Sequence, residues 1–176
     1  MITPDIPPDE KDWTWVLQRR CAQCGFDATG FDREQVGSMI RSNAAAWQRV
    51  LRSSAVSKRP RRTVWSPLEY ACHVRDVFRI YDERLARMLT EDDPQYANWN
   101  QDATAVEDNY GEQEPRVVGA ELAAAATKLA TRFESVSGEQ WDRPGTRSDG
   151  AHFTVESFGR YLIHDPIHHL WDVEVG

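Results

Sequence analysis

Three of the five histidines in this 176-residue chain, His164, His168 and His169, fall within six positions. His164 and His168 are four apart, so on a continuous helix their rings sit one turn above each other on one face. Two imidazoles at that spacing are the usual helical half of a metal site. The same face carries Tyr161 and Trp171, which turns the pair toward a core. His169 projects roughly 100° away from His168 and is not expected to be a ligand. His73 lies on the apolar side of another helical segment. From there it can complete a three-nitrogen site between helices, leaving a fourth position open for water or substrate. Taken singly, a histidine on an apolar face is more often a core residue bonded to a backbone carbonyl.

A divalent ion with three neutral nitrogen ligands acidifies whatever occupies its open position. Water becomes hydroxide near neutral pH and a thiol loses its proton. Asp76, one turn beyond His73, and Asp172, one turn beyond His168, can orient imidazole N–H groups or stand as solvated helix-surface carboxylates. Trp65 and Tyr161 can wall a pocket or simply fill the core. Cys21-Ala22-Gln23-Cys24-Gly25 is half of a zinc-knuckle pattern. Its readings are structural zinc, a redox pair, or two reduced cysteines in a turn; Cys72 and His152 can complete a zinc set only if the fold brings them close. The run His164-Asp165-Pro166-Ile167-His168 imitates a metalloprotease motif. Aspartate is a short base, and too little chain follows for a third ligand.

These residues must be held by helices. Asp32 and Gln35 form a capping-box pattern ahead of a segment to about Leu51, with an apolar stripe interrupted by Asn43. Ser66-Pro67-Leu68-Glu69 is the clearest helix start, opening a segment apolar over a wide arc. The connection from Glu91 to Pro115 holds Tyr96, Trp99 and Tyr110. Its length predicts a functional loop or a short helix. A third helix is predicted over 116–136 and a last one from Thr154 to Trp171, where Pro166 predicts a kink and displaces Asp165 from helical geometry. No strand pattern is evident. Residues 1–30, with Pro4, Pro7 and Pro8, read as an irregular arm carrying the CxxC pair, packed along the body through Trp13, Trp15, Val16 and Leu17. The remainder, 31–176, reads as an all-α four-helix bundle.

The net charge of −7 argues against a nucleic-acid surface and gives no attraction to anionic lipid. No apolar run is long enough to span a bilayer. The N-terminus lacks the basic start and apolar core of a signal peptide, so a cytoplasmic location is the default expectation. Three cysteines are too few for a disulfide framework.

The run Trp65 to Asp76, WSPLEYACHVRD, resembles the second-helix motif of DinB-like proteins, and Tyr161 to His169, YLIHDPIHH, resembles their last-helix HxxxH motif. The resemblance spans about residues 31–173. It implies an up-down-down-up four-helix bundle, a homodimer, and one divalent metal, zinc or nickel, held by residues matching His73, His164 and His168. In some relatives a glutamate replaces one histidine. The characterised relatives include thiol S-transferases that use mycothiol, bacillithiol or glutathione, and a mycothiol-dependent isomerase. The resemblance therefore implies transfer of a small-molecule thiol to an electrophilic substrate; a non-catalytic metal-binding or stress-response module and a metal-dependent hydrolase are the alternatives. The CxxC arm is outside that pattern.

Overall fold

The computed structural model describes residues 6–176; Pro4 and the rest of the first five residues lie outside them. The helices are α1 (Val36–Val50), α2 (Pro67–Thr90), a short α3 (Gln101–Glu107), α4 (Pro115–Glu134) and α5 (Val155–Val175). Side chains set their starts. Ser66 Oγ accepts the Glu69 N–H at 3.2 Å while the Glu69 carboxylate accepts the Ser66 N–H at 2.8 Å, ahead of Pro67. Two of the N–H groups that a helix start leaves unpaired are thereby satisfied. Thr154 and Ser157 cap α5 in the same reciprocal way. The Asp32–Gln35 box opens a 3₁₀ turn that leads into α1.

Side-chain pairings along the four long helices fix their directions. Arg41 near the start of α1 bonds Glu134 at the end of α4, and Gln48 reaches the Gly119 carbonyl, so these two are antiparallel. Arg75 bonds Glu121 and Asp82 bonds Arg132, which makes α2 and α4 parallel. His73 faces Asp165 while Tyr81 packs on Phe158, so α5 runs against α2. Asn43 donates to the Pro166 carbonyl, and Val36 lies where a Cβ on Gly159 would touch it, so α5 runs with α1. The bundle is up-down-down-up. Helices α4 and α5 each pack on both α1 and α2, which leaves the sequence neighbours α1 and α2 on a diagonal. The shared core includes Ile40, Trp47, Leu68, Phe78, Leu85, Leu122, Leu129, Phe158 and Leu162, all essentially inaccessible. Asn43, which interrupts the α1 stripe in the sequence, is buried because it serves α5 at Pro166.

Among the described residues, three short strands depart from the purely helical expectation: β1 (Gln95–Tyr96), β2 (Pro144–Arg147) and β3 (His152–Thr154). β1 pairs parallel with β2, and β2 antiparallel with β3, Gly145 standing opposite Phe153. Strands this short show no alternation to read, and β2 begins with the poor strand formers Pro144 and Gly145. Gly145 is required by packing, since a Cβ there would lie 2.7 Å from Met88 of α2. The sheet ties the connection after α2 to the hairpin before α5. The connection also contains α3, the short helix its length predicted, and a 3₁₀ turn at Tyr110–Glu112. Among the described residues no helix is long and apolar enough to cross a membrane.

Asp82, buried on α2, joins α4 through Arg132 at 2.7 Å and Lys128 at 3.0 Å. Burial would raise its carboxyl, but the two cations outweigh that and hold it below the ordinary value. A carboxyl depressed by folding stabilises the fold above its unfolded value, and that contribution is lost as pH falls through its folded value. We therefore expect Asp82→Asn to cost about 1.5–3 kcal/mol at neutral pH, the usual worth of hydrogen bonds to a charged group. The deficit should begin to shrink below about pH 4, the range of an unfolded carboxyl, and vanish as pH falls through the depressed folded value of Asp82. Thermal melts across pH check this; a constant deficit at every pH would contradict it.

Candidate metal centre

Helix α5 continues unbroken through Pro166, so the expected disruption does not separate the histidines. His164 and His168 stay one turn apart, their ring centroids separated by 5.1 Å. The next two positions, Asp165 and His169, form a second i, i+4 pair rotated by about 100°. Each pair meets a different partner. Asp165 and His169 converge with His73 of α2, whereas His164 and His168 converge with Cys21 and Cys24 of the arm; in each set the ligand-type atoms lie within 4.8 Å of one another. The expected trio of His73, His164 and His168 is thus divided between two clusters. The nitrogen His73 faces across the bundle belongs to His169, and a carboxylate stands where a third histidine was expected.

His73 is fully buried in the second turn of α2. Its ring stacks on Trp99 at 5.3 Å and 5°, has Trp65 at 5.5 Å, and meets His169 edge-on at 4.9 Å. Nε2 lies 3.2 Å from both Asp165 oxygens, while Nδ1 is buried without a partner, so the polar anchoring of this ring is all on the α5 side. His169 Nε2 is 3.6 Å from Asp165, and its Nδ1 is paired with Asp172 at 2.8 Å. Burial opposes charge at Asp165, yet His73 and His169 outweigh it and hold the carboxyl far below the usual range. Burial likewise opposes charge on His169, but Asp165 and Asp172 raise it well above a free imidazole. The carboxylate therefore favours positive charge at the facing His169 nitrogen, and a divalent ion there would take the place of that proton. Two imidazoles and a carboxylate are a recognised donor set for zinc and other divalent ions.

Asp165 and His169 line a cleft of about 510 Å³, whose walls include Trp13, Trp99, Tyr161, Arg84 and Arg147. That volume suits a small molecule. Tyr161 accepts from Arg147 at 3.2 Å, so its own hydroxyl proton is free to point elsewhere. Burial outweighs the neighbouring Arg147 and keeps this phenol protonated. Trp65 lies behind His73 and is no part of the lining.

The second cluster sits on the adjoining side of α5. Cys21 Sγ lies 3.7 Å from His168 Nδ1, and His164 Nε2 is buried without a hydrogen-bond partner. Trp13 and Phe26 pack on the His164 ring at 5.4 and 5.3 Å. Burial depresses both imidazoles, His164 to about 4, so both are neutral near pH 7. Burial and the neighbouring Cys21 push the Cys24 thiol up to about 11.

Asp172 does orient an imidazole, with its closer oxygen on His169 and the other 3.8 Å from His168 Nε2. Asp76 does not reach His73; it is held by Arg75, Arg79 and the Tyr110 hydroxyl in a network that ties α2 to the following connection. Cys72 turns to the Tyr110 carbonyl and Gln113, and exposed His152 to Thr146, so neither joins Cys21 and Cys24. Sequence reasoning passed over Asp165 and His169. The available signal was their own four-residue spacing, hidden because Pro166 was expected to displace Asp165 and because His169 was judged only by its angle to His168.

No curated protein matches the sequence significantly. Among solved structures the fold is similar to YfiT from Bacillus subtilis, described as a probable metal-dependent hydrolase with an unusual four-helix bundle topology. The two share 17% sequence identity with a TM-score of 0.71, covering 81% of this chain and 86% of YfiT. The sequence profile of the DinB superfamily matches residues 41–173, which contain all of α2 and α4 and most of α1 and α5. A match over that share of the sequence shows that the chain belongs to the DinB superfamily.

Proposed function

We propose that this chain is a metal-dependent enzyme whose cleft ion is held by His73, Asp165 and His169. The observation that carries the reading is their convergence, from two helices, beside a cleft of small-molecule size. A divalent ion there supplies Lewis acidity, making a bound thiol or water nucleophilic at neutral pH. Asp172 fixes the ring orientation of His169 so that Nε2 faces Asp165. Trp99 stacks on the His73 ring and, with Trp13, forms part of the cleft wall. Tyr161 supplies a hydrogen-bond donor for charge developing on a substrate oxygen or leaving group.

The finer reading is transfer of a low-molecular-weight thiol of the mycothiol, bacillithiol or glutathione type to an electrophilic small molecule. Its support is the two-motif resemblance and a cleft roomy enough for a polar thiol beside a second reactant. Hydrolysis is the second reading, favoured by Asp165. An aspartate with two histidines is close to the two-histidine, one-carboxylate set of hydrolytic zinc enzymes, and YfiT carries the hydrolase description.

Metal-loaded protein should be assayed with a panel of such thiols against an aryl halide, and without thiol against an activated ester. Thiol-dependent conjugation abolished by His169→Ala supports transfer. Ester cleavage abolished by the same change, with no conjugation, supports hydrolysis. Rates unchanged by the substitution in both assays would overturn the metal-enzyme proposal.

Two further outcomes follow from the geometry. Asp172→Ala should weaken binding of the cleft ion by roughly 10–100-fold in a metal titration, as loss of a ligand-orienting partner does. Tyr161→Phe should leave metal content intact and lower kcat by roughly 10²-fold with little change in KM; a change confined to KM would make Tyr161 a binding residue only.

A further inference from the structure

We infer that Cys21, Cys24, His164 and His168 form a second, structural zinc site that fastens the N-terminal arm to α5. Its ligands are distinct from those of the cleft ion, although His164 and His168 also line the cleft, and it would stand if the cleft proved inert. All four ligand-type atoms already lie within 4.8 Å of one another. A tetrahedral zinc with bonds of about 2.3 Å to sulfur and 2.0–2.1 Å to nitrogen places sulfur and nitrogen about 3.6 Å apart. Cys21 Sγ and His168 Nδ1 are 3.7 Å apart. A second observation points the same way. His164 Nε2 is buried without any hydrogen-bond partner on a residue only 4% exposed. A buried polar atom left unpaired is costly, and a metal ion facing it removes that cost.

The local chain is built for such a site. The Cys21–Cys24 turn closes through the Gly25 N–H to the Cys21 carbonyl at 2.9 Å and the Cys21 N–H to the Phe26 carbonyl at 2.8 Å. Gly25 has φ +76°, where a side chain would be strained. Two cysteines on a tight glycine turn, facing two histidines one helical turn apart, are the two halves of a Cys₂His₂ zinc set. Four protein ligands close the coordination sphere, which makes the site structural. Zinc binding would convert both thiols to thiolates, releasing their protons to solvent with no change of oxidation state.

The consequence is mechanical. The arm is one wall of the cleft, through Lys11, Asp12 and Trp13. Trp13 also packs on His164 and His168. A zinc tying Cys21 and Cys24 to α5 therefore holds that wall in place.

Full-length protein purified without a metal-affinity tag should retain about one zinc ion per chain through chelator washes that strip the cleft. X-ray absorption should show two sulfur ligands near 2.3 Å and two nitrogen ligands near 2.0–2.1 Å. Cobalt substitution should give the thiolate charge-transfer band of a tetrahedral site. Cys21→Ser with Cys24→Ser should remove that equivalent, whereas His73→Ala should leave it bound. The double variant should also be cut by trypsin after Lys11, Arg19 or Arg20 roughly 10-fold faster than wild type, because cleavage follows local opening. The inference is overturned if wild-type protein supplied with zinc shows no sulfur ligation, or if the cysteine variant keeps its full zinc complement. The wild-type spectra decide the matter even if the variant fails to fold. Sulfur-ligated zinc combined with an inactive cleft would leave this inference standing while sinking the proposed function.

Discussion

The constraint on which the site depends is the 3.6-residue turn of α5 between His164 and His169. Four residues make one turn plus a small remainder, so positions 164 and 168 share a face and positions 165 and 169 share the next. One stretch of six residues thereby offers two ligand pairs to two directions. One direction is filled by α2 and the other by the arm. A slip of α5 by a single residue along its partners would break both sets: in one direction His164 and His168 would face His73 but Ile163 and Ile167 the cysteines, in the other Asp165 and His169 would face the cysteines but Pro166 and Leu170 His73. The register of α5 is therefore a chemical matter as well as a packing one. Asn43 on the Pro166 carbonyl and the close seat of Gly159, where a Cβ would lie 2.9 Å from Phe133, help to hold it.

The rest of the bundle keeps His73 at the right height. Its position in the second turn of α2 is set by the Ser66–Glu69 box, whose carboxylate is further held by Arg59. Helix α2 is in turn braced against α4 by Arg75–Glu121 and Asp82–Arg132, both partly shielded from water. The sheet has a different task. By pairing β1 with β2 it secures the connection that delivers Trp99 to the His73 ring, and Trp99 Nε1 is fixed by Thr104 of α3 at 2.8 Å. A connection of this length would otherwise leave the aromatic cover on a freely moving loop.

Much of this was legible in the sequence, and what was not has specific causes. Caps and apolar stripes gave α1, α2, α4 and α5 to within a few residues, because each helix start carries its own hydrogen-bonding side chains. The up-down-down-up order rested on family resemblance; pairings such as Gln48 with Gly119 now establish it in three dimensions. The sheet was invisible because its strands are held by long-range pairing, with too few residues for a pattern. At the site, the residue types were found and their grouping was not. Spacing on one helix says which side chains share a face, but says nothing of what packs on that face. Proline was over-weighted too: its cost within a helix can be met when neighbouring packing holds the backbone, and here Pro166 is itself buried against α1.

The two donor sets are also chemically unlike, which is what lets them sit side by side without exchanging roles. Two thiols with two imidazoles form a soft, closed set suited to an ion that stays. Two imidazoles with a carboxylate form a harder, three-point set that leaves room for a ligand from the cleft. Asp172 lies between them, with one oxygen on His169 and the other facing His168. The 2.8 Å contact fixes the His169 ring, whereas 3.8 Å to His168 is beyond hydrogen-bond reach, so the carboxylate orients the cleft set and leaves the arm set to its own four donors.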